Sequence, residues 1–136
     1  MAPVSRRCVN SFVCVPVFYA NDAAAIAPIG VIAVDESYDE AFKNMGLKVE
    51  VFRAGKYKAP NIAGEGYTDE MRALEQKAVE AMHEEFKQTV LRKRSLARRE
   101  DMEGQVFTGR EAAAKNLVTG LATSFAEALA AFEQVA

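Results

Sequence analysis

The sequence is poor in the residue types that most often build metal sites, disulfide frameworks and aromatic binding surfaces. Its 136 residues include two cysteines, one histidine and no tryptophan. Cys8 and Cys14 match no metal-ligand spacing and are too few for a disulfide framework, which favours a reducing compartment. We therefore expect neither a metal nor another cofactor.

A strong excess of charge and long apolar runs are also lacking. The formal net charge is −2, which provides no overall field to attract nucleic acid or an anionic membrane. No apolar run reaches the roughly 18 residues that a membrane span needs. The length is that of one domain. We expect a cytoplasmic chain without a nucleic-acid partner, associated with a membrane only if a lost N-terminus carried an anchor.

The N-terminal region allows two interpretations. Arg6 and Arg7 precede a mostly apolar stretch, Val9–Ala20, which is the outline of a secretory signal peptide. Polar residues and a proline interrupt that stretch, however, and Phe18 would occupy a cleavage-site position that requires a small residue. A strand over Phe12–Tyr19, at a sheet edge or bulge, is the favoured interpretation.

The middle of the chain predicts a strand–helix–strand unit. Ile29–Val34 is a short apolar run rich in β-branched residues, as in a buried parallel strand. Residues 38–45 have helical spacing, with Ser37 and Glu40 as a capping box and Gly46 closing the helix. "LKVEVFRA" then alternates between apolar and charged residues, as a strand does.

The second half predicts a long helix followed by shorter elements. Thr68 can cap the long helix, whose apolar stripe contains Met71, Leu74, Ala78, Met82, Phe86 and Val90. The arginines and lysine at 92–94, 98 and 99 suit a solvated helix C-terminus, and phosphate binding is the weaker alternative because no aromatic residues are interleaved. A short strand, a turn at Gly109, a short helix and an alanine-rich amphipathic helix complete the chain.

Three stretches carry a resemblance to a known family. They are "IGVI" followed by "MGLKVEVFRAGKYKAP", then "TDEMRALEQKAVEAMHEEFKQTV", then "GQVFTGREAAAKNLV". In this order they resemble the C-terminal part of the signal peptide peptidase A (protease IV) family, which includes phage capsid-maturation proteases. The resemblance runs from about Tyr19 to Leu129.

The resemblance implies an α/β fold of the ClpP/crotonase-like type. That fold has βαβ units, a mostly parallel sheet, a long covering helix and a C-terminal helix. It also implies a serine nucleophile with a lysine general base at the end of a Gly-x-x-Lys turn. Here that turn is Gly55–Lys58, so the resemblance assigns the base to Lys58 and leaves Lys56 as loop charge. Because a lysine needs burial to lower its pKa from near 10.4 toward neutrality, we expect a buried site at a strand end.

The sequence departs from the family pattern in three places. The nucleophile should fall near Arg6, but neither Ser5 nor Ser11 stands in a Ser-Gly-Gly or Ser-Ala-Ala motif. The family's Gly-Ser pair before IGV is Ala27-Pro28, and its usual aspartate after "LV" is Thr119. The chain therefore has the base but no recognisable nucleophile.

Two explanations are consistent with these departures. In the first, residues 1–16 are a divergent or non-native segment and residues 17–136 are an incomplete peptidase domain. In the second, the chain is a lysine-donating half, which supplies the lysine of an active site whose serine comes from elsewhere. Either one predicts a homo-oligomer or a serine-bearing partner chain. The expected function is that of a serine endopeptidase unit, cleaving signal-peptide remnants or phage capsid and scaffold proteins.

Two other functions remain open at this point. The first is a catalytically inactive assembly or scaffold subunit that keeps the peptidase fold, which the missing nucleophile motif and Pro28 favour. The second is a thiol enzyme using Cys14 with His83, although reactive cysteines need a placed base and His83 is expected on the solvated face of the long helix.

Overall fold

The structure, a computed structural model, describes residues 17–59 and 62–134. The chain divides into two compact units. The first unit contains the described residues 32–59 and 62–81, and the second contains residues 17–31 and 82–134. The described residues contain both helices and short strands, and one strand pair is parallel. This combination is compatible with an α/β fold.

The first unit begins with helix α1, Asp39–Asn44. The predicted helix is confirmed, and it ends where Gly46 adopts φ +72°, a conformation that glycine reaches at little steric cost. The predicted capping box is wrong. Tyr38 occupies the N-cap position without a side-chain cap, and the Ser37 hydroxyl instead donates to Asp39 Oδ1 at 2.5 Å.

Both strands predicted to flank α1 are absent. Residues 29–34 and 47–54 form neither helix nor strand, so the predicted βαβ unit is wrong. The apolar side chains at the end of the first segment are exposed, with Ile32 at 70% and Val34 at 69% of their full accessible area. A strand requires a ladder of hydrogen bonds from a neighbour, and among the described residues these two segments have one backbone bond each, from Gly104 N–H to the Ile29 carbonyl and from Leu47 N–H to the Phe42 carbonyl.

Helix α2, Asp69–Lys93, is the long helix that the sequence predicts. Thr68 caps it as expected, since its Oγ1 accepts from the backbone N–H of Met71 at 3.2 Å. The predicted apolar stripe is only partly buried. Met71, Phe86 and Val90 are buried, whereas Leu74 and Ala78 are exposed. No described helix is both long and apolar enough to cross a membrane.

The second unit contains two pairs of very short strands. Strand β1, Tyr19–Ala20, pairs in parallel with β4, Gly120–Leu121. Strand β2, Ala25–Ile26, pairs antiparallel with β3, Phe107–Thr108. Of the strand predicted over Phe12–Tyr19, residues 12–16 lie outside the described part of the chain.

Two helices and a 3-10 turn at Arg99–Asp101 complete the second unit. Helix α3, Gly109–Ala114, starts at a capping box between Thr108 and Glu111, so Gly109 is its first residue rather than a separate turn. Helix α4, Phe125–Glu133, is capped by Ser124 and buries none of its residues. The core of this unit consists of Ala20, Ile26, Ile29, Phe86, Val90, Ala97, Met102, Ala112, Leu117 and Val118.

Candidate active site

The turn predicted to carry the catalytic lysine lies in the first unit. The backbone N–H of Lys58 donates to the carbonyl oxygen of Gly55 at 3.0 Å, which closes a four-residue turn. Gly55 has φ +94° and Ala59 has φ +53°. Glycine adopts positive φ without a steric cost, whereas alanine rarely does. The Gly-x-x-Lys spacing therefore has a local structural reason, because the turn needs glycine at its first position.

Lys56 in the same turn is held by an acidic partner. Its Nζ lies 2.7 Å from Oε1 of Glu70 and 5.2 Å from the centre of the Tyr57 ring. The Tyr57 hydroxyl donates to the same carboxylate. The hydrogen bond to Glu70 raises the pKa of Lys56, and the hydrogen bond from Lys56 lowers the pKa of Glu70. A lysine stabilised in its charged form is a poor general base.

Lys58 is placed differently. Its side chain is exposed, and among the described residues its ammonium has no hydrogen-bond or ion-pair partner. The expectation that Lys58 would be buried is therefore wrong for this chain. The lysine lies at the surface of this unit, without the burial that a lysine base requires.

The other positions of the family pattern lie outside the described residues or in the second unit. Ser5, Arg6 and Ser11 lie outside the described residues. Pro28 is exposed in the second unit, whereas Lys58 belongs to the first. Thr119, at the position of the family's aspartate, accepts from the backbone N–H of Phe18 through Oγ1 at 2.9 Å, a structural role beside β1.

The serines in the described part of the chain offer no clear nucleophile. They are Ser37, Ser95 and Ser124. Ser37 donates to Asp39, and Ser124 accepts from the backbone N–H of Glu127 at 3.2 Å as the cap of α4. None is followed by Gly-Gly or Ala-Ala, the small residues that would let backbone N–H groups form an oxyanion hole.

His83 does not lie on the solvated face of α2 as expected. It is half-buried, and its Nε2 lies 2.7 Å from the carbonyl oxygen of Met102. Since a carbonyl only accepts, Nε2 must carry a proton. This is a structural bond between α2 and the segment after the 3-10 turn. Cys14, the proposed thiol partner, lies outside the described residues.

The basic end of α2 is also less solvated than expected. Arg94 retains only 8% of its accessible area, and its Nε donates to the Leu117 carbonyl at 3.1 Å. Arg99 pairs with Glu84 at 2.8 Å, and Arg98 pairs with Asp101 at 3.3 Å. Arg98 and Arg99 are therefore paired with carboxylates, whereas Arg92 and Lys93 of the same cluster are exposed.

A small cavity lies beside Arg94 in the second unit. Its volume of about 10 Å³ is close to the minimum for one water molecule. Its walls include Ile26, Ile29, Val90, Asp101, Phe107 and Leu117. No group of three or more metal-ligating side chains occurs among residues 17–59 and 62–134.

Sequence reasoning missed the groups that distinguish the two lysines. Glu70 lies fourteen positions after Lys56, in the first turn of α2, where an acidic residue is already explained by the helix dipole. In the sequence, only the Gly-x-x-Lys spacing identifies Lys58 rather than Lys56 as the candidate base. That spacing has this meaning only because of the family resemblance.

Comparison with known proteins identifies the family of this chain. A family model described as Peptidase family S49 matches residues 15–136, and a search of curated proteins found no match. Because the family match covers most of the chain, the chain is a peptidase-family protein. It belongs to peptidase family S49, the serine peptidases of the signal peptide peptidase A (protease IV) type.

Proposed function

We propose that this chain is the lysine-bearing unit of a serine endopeptidase, in which Lys58 is the general base of a Ser–Lys dyad. The observation that carries the proposal is the formed Gly55–Lys58 turn, which presents an exposed lysine without a carboxylate partner among the described residues. Family membership implies polypeptide substrates. Signal-peptide remnants and phage capsid or scaffold proteins are the proposed substrates.

The proposed chemistry assigns one proton-transfer role to Lys58. Neutral Nζ accepts the proton of a serine hydroxyl as its oxygen attacks the scissile carbonyl carbon. The protonated lysine then donates to the leaving amine, which breaks the peptide bond and leaves an acyl-serine. Lysine next activates a water molecule, whose oxygen displaces the serine and releases the second product as a carboxylic acid.

The nucleophile in this proposal comes from another polypeptide. No serine of the sequence stands in a family-like motif, and the exposed Lys58 lacks the burial that a lysine base requires. A serine-bearing partner chain would supply both, whereas another copy in a homo-oligomer would supply only the covering surface. In this proposal residues 17–136 form a partial domain of the ClpP/crotonase-like fold, and residues 1–16 are a divergent segment.

One observation favours a second candidate, an inactive assembly subunit. The family's serine beside the lysine is replaced by Pro28, which offers neither a hydroxyl nor a backbone N–H. An assembly subunit would keep the peptidase fold without needing the hydroxyl. Such a subunit would stimulate no hydrolysis with any serine-bearing partner.

Complementation tests the proposal. The purified chain would be mixed with a serine-bearing S49 subunit whose own catalytic lysine is changed to alanine, and hydrolysis of a fluorescent unfolded polypeptide would be followed. Restored hydrolysis that falls about 10²–10⁴-fold in Lys58→Ala, but persists in the control Lys56→Ala, would support the assignment. Undiminished hydrolysis by Lys58→Ala would refute it. Two results together would favour the assembly subunit. The wild-type chain would fail to restore hydrolysis, and a fluorophosphonate would label no serine of the purified chain.

A further inference from the structure

The turn that carries Lys58 is not held in place by burial. Residues 54–59 are all exposed, and the hydrogen bond from the Lys58 N–H to the Gly55 carbonyl closes the turn at 3.0 Å. Exposed turns with few buried contacts belong to the least stable parts of a fold. The order of this turn therefore depends strongly on the contacts that its side chains make.

Glu70 binds two of those side chains at once. The Lys56 Nζ lies 2.7 Å from Oε1 and 2.5 Å from Oε2 of the Glu70 carboxylate, and the Tyr57 hydroxyl donates to Oε1. The Lys56 Nζ also lies 5.2 Å from the centre of the Tyr57 ring, a distance at which an aromatic ring attracts a cation. The three residues, here named the Glu70 cluster, therefore contact one another pairwise.

Glu70 is a fixed point for the turn. It is the second residue of α2, whose start is capped by Thr68, and the next residue, Met71, is buried. A carboxylate in the first turn of a helix also interacts favourably with the helix dipole. Groups held on helices are positioned more precisely than groups held on loops, so the Glu70 cluster ties an exposed turn to a more rigid element.

A second contact restrains the chain just before the turn. Arg53 forms an ion pair with Glu65, in the loop that leads to α2. Their side chains retain 17% and 35% of their accessible area, so water screens this pair less than a fully exposed one. The chain is thereby tied at Arg53 and at residues 56–57 to one stretch, residues 65–70.

The Glu70 cluster gives the two lysines of the turn different environments. Lys56 is bound by Glu70, whereas among the described residues the Lys58 ammonium has no hydrogen-bond or ion-pair partner. Lysine has a long flexible side chain, so its Nζ is placed only as well as the backbone that carries it. A misplacement of about 1 Å can lower the rate of an enzyme by about a hundredfold.

We propose that Glu70 is a positioning residue for Lys58. By binding the Lys56 ammonium and the Tyr57 hydroxyl, its carboxylate fixes the Gly55–Lys58 turn against the start of α2 and holds the Lys58 Nζ in place for the serine hydroxyl. Glu70 itself takes no part in proton transfer. The inference rests on the proposed role of Lys58 as general base.

Steady-state kinetics in the complementation assay provide the first test. Glu70→Ala should lower kcat by about tenfold or more and change KM by about threefold or less, because a displaced base slows the chemical step rather than substrate binding. Glu70→Gln keeps an acceptor oxygen at the same reach and should recover most of the loss. Asp69→Ala, which removes the same charge from the same exposed helix turn, is the matched control and should keep the wild-type kcat.

The two donors should act only through Glu70. Lys56→Ala leaves the Tyr57 hydroxyl bound, so hydrolysis should persist with a loss of about fivefold or less, since exposed ion pairs contribute little. The double variant Lys56→Ala/Tyr57→Phe should lose as much kcat as Glu70→Ala. Adding Glu70→Ala to it should cost nothing further, and another tenfold loss would overturn the proposal, because Glu70 would then act through other contacts.

Backbone order provides a test that does not depend on hydrolysis. The NMR order parameter of the Lys58 amide would be measured in the purified chain. It should be about 0.85 in the wild type, as in rigid backbone, and below about 0.6 in Glu70→Ala. Asp69→Ala should leave it unchanged.

The outcomes separate this inference from the proposed function. If Lys58→Ala abolishes hydrolysis, three results would each overturn the positioning role and leave Lys58 as the base. They are full hydrolysis by Glu70→Ala, an equal loss in Asp69→Ala, and an unchanged Lys58 order parameter in Glu70→Ala. Undiminished hydrolysis by Lys58→Ala would refute both the base and its positioning, whatever the order parameter shows.

Discussion

Arg94 Nε lies 3.1 Å from the carbonyl oxygen of Leu117, which joins the end of α2 to the segment that follows α3. Both residues are buried, and desolvation lowers the pKa of the Arg94 guanidinium. The contact accounts for one arginine of the cluster of positive charge at the end of the long helix. One member of the cluster is structural, satisfying a carbonyl in the core of the second unit.

The contact predicts a stability loss in Arg94→Met. Methionine keeps much of the apolar stem but leaves the Leu117 carbonyl without its donor, which costs about 1–3 kcal/mol for a buried group. Urea unfolding followed by circular dichroism would measure this free energy of unfolding. Arg92→Met, on the exposed surface two residues earlier, should change it by about 0.5 kcal/mol or less. Equal effects in the two variants would show that the buried bond contributes nothing specific.

Gly109 predicts a second, steric loss. A Cβ at this position would lie 1.9 Å from the carbonyl oxygen of Asn21 and 3.3 Å from Cβ of Ala20. Gly109→Ala should therefore force α3 and the segment after β1 apart, at a cost of about 1–3 kcal/mol. Thermal unfolding would measure it. At Gly46, where φ is +72° and an added Cβ meets no atom within 4 Å, Gly46→Asn should be nearly neutral, since asparagine tolerates this conformation.

The helices were predictable from the sequence because their signals are local. Thr68 as an N-cap, the apolar residues of α2 and Gly46 after α1 each act within one or two turns of the residues they affect. The capping box at α1 was predicted wrongly because Ser37 bonds to the side chain of Asp39 instead of a backbone N–H. Aspartate next to a potential cap competes for its hydroxyl.

The strands were not predictable because strand formation depends on a neighbour. The alternation in "LKVEVFRA" indicated that Leu47, Val49 and Val51 share one side, and Val49 and Val51 are half-buried whereas Leu47 is 53% exposed. It carries no information about whether another backbone is present to complete the ladder. The same limit applies to Lys58. Its turn could be predicted from Gly55, whereas its exposure depends on which surfaces surround it.

His83 gives a prediction that separates a structural from a catalytic histidine. His83→Ala removes the donor to the carbonyl of Met102, a residue with 0% exposure. The expected cost is about 1–3 kcal/mol of unfolding free energy, measured by urea unfolding. Glu85→Ala, exposed two residues later on α2, should change stability little.

Cys14→Ser should leave hydrolysis in the complementation assay unchanged. A loss of hydrolysis in that variant would revive the thiol mechanism.

Asp101 predicts how the stability of the second unit depends on pH. Its carboxylate is buried to 5% exposure and accepts from Lys115 Nζ and from Arg98 Nε. The hydrogen bond from Lys115 is the main cause that lowers the pKa of Asp101 from its ordinary value of 3.8. Because the pKa is lower in the folded state than in the unfolded state, ionised Asp101 stabilises the fold above about pH 4. That contribution is lost as the pH falls through the folded-state pKa.

Comparison of Asp101→Asn with the wild type between pH 2 and pH 7 would measure this dependence. The wild type should have the larger free energy of unfolding by a constant amount near neutral pH, and the difference should shrink below about pH 4 as the wild-type carboxyl becomes neutral. Glu133→Gln, exposed at the end of α4, should give a small difference throughout. A difference for Asp101→Asn that stays constant down to pH 2 would mean that the carboxylate charge does not stabilise the fold, and that the asparagine acts only through altered packing around Lys115.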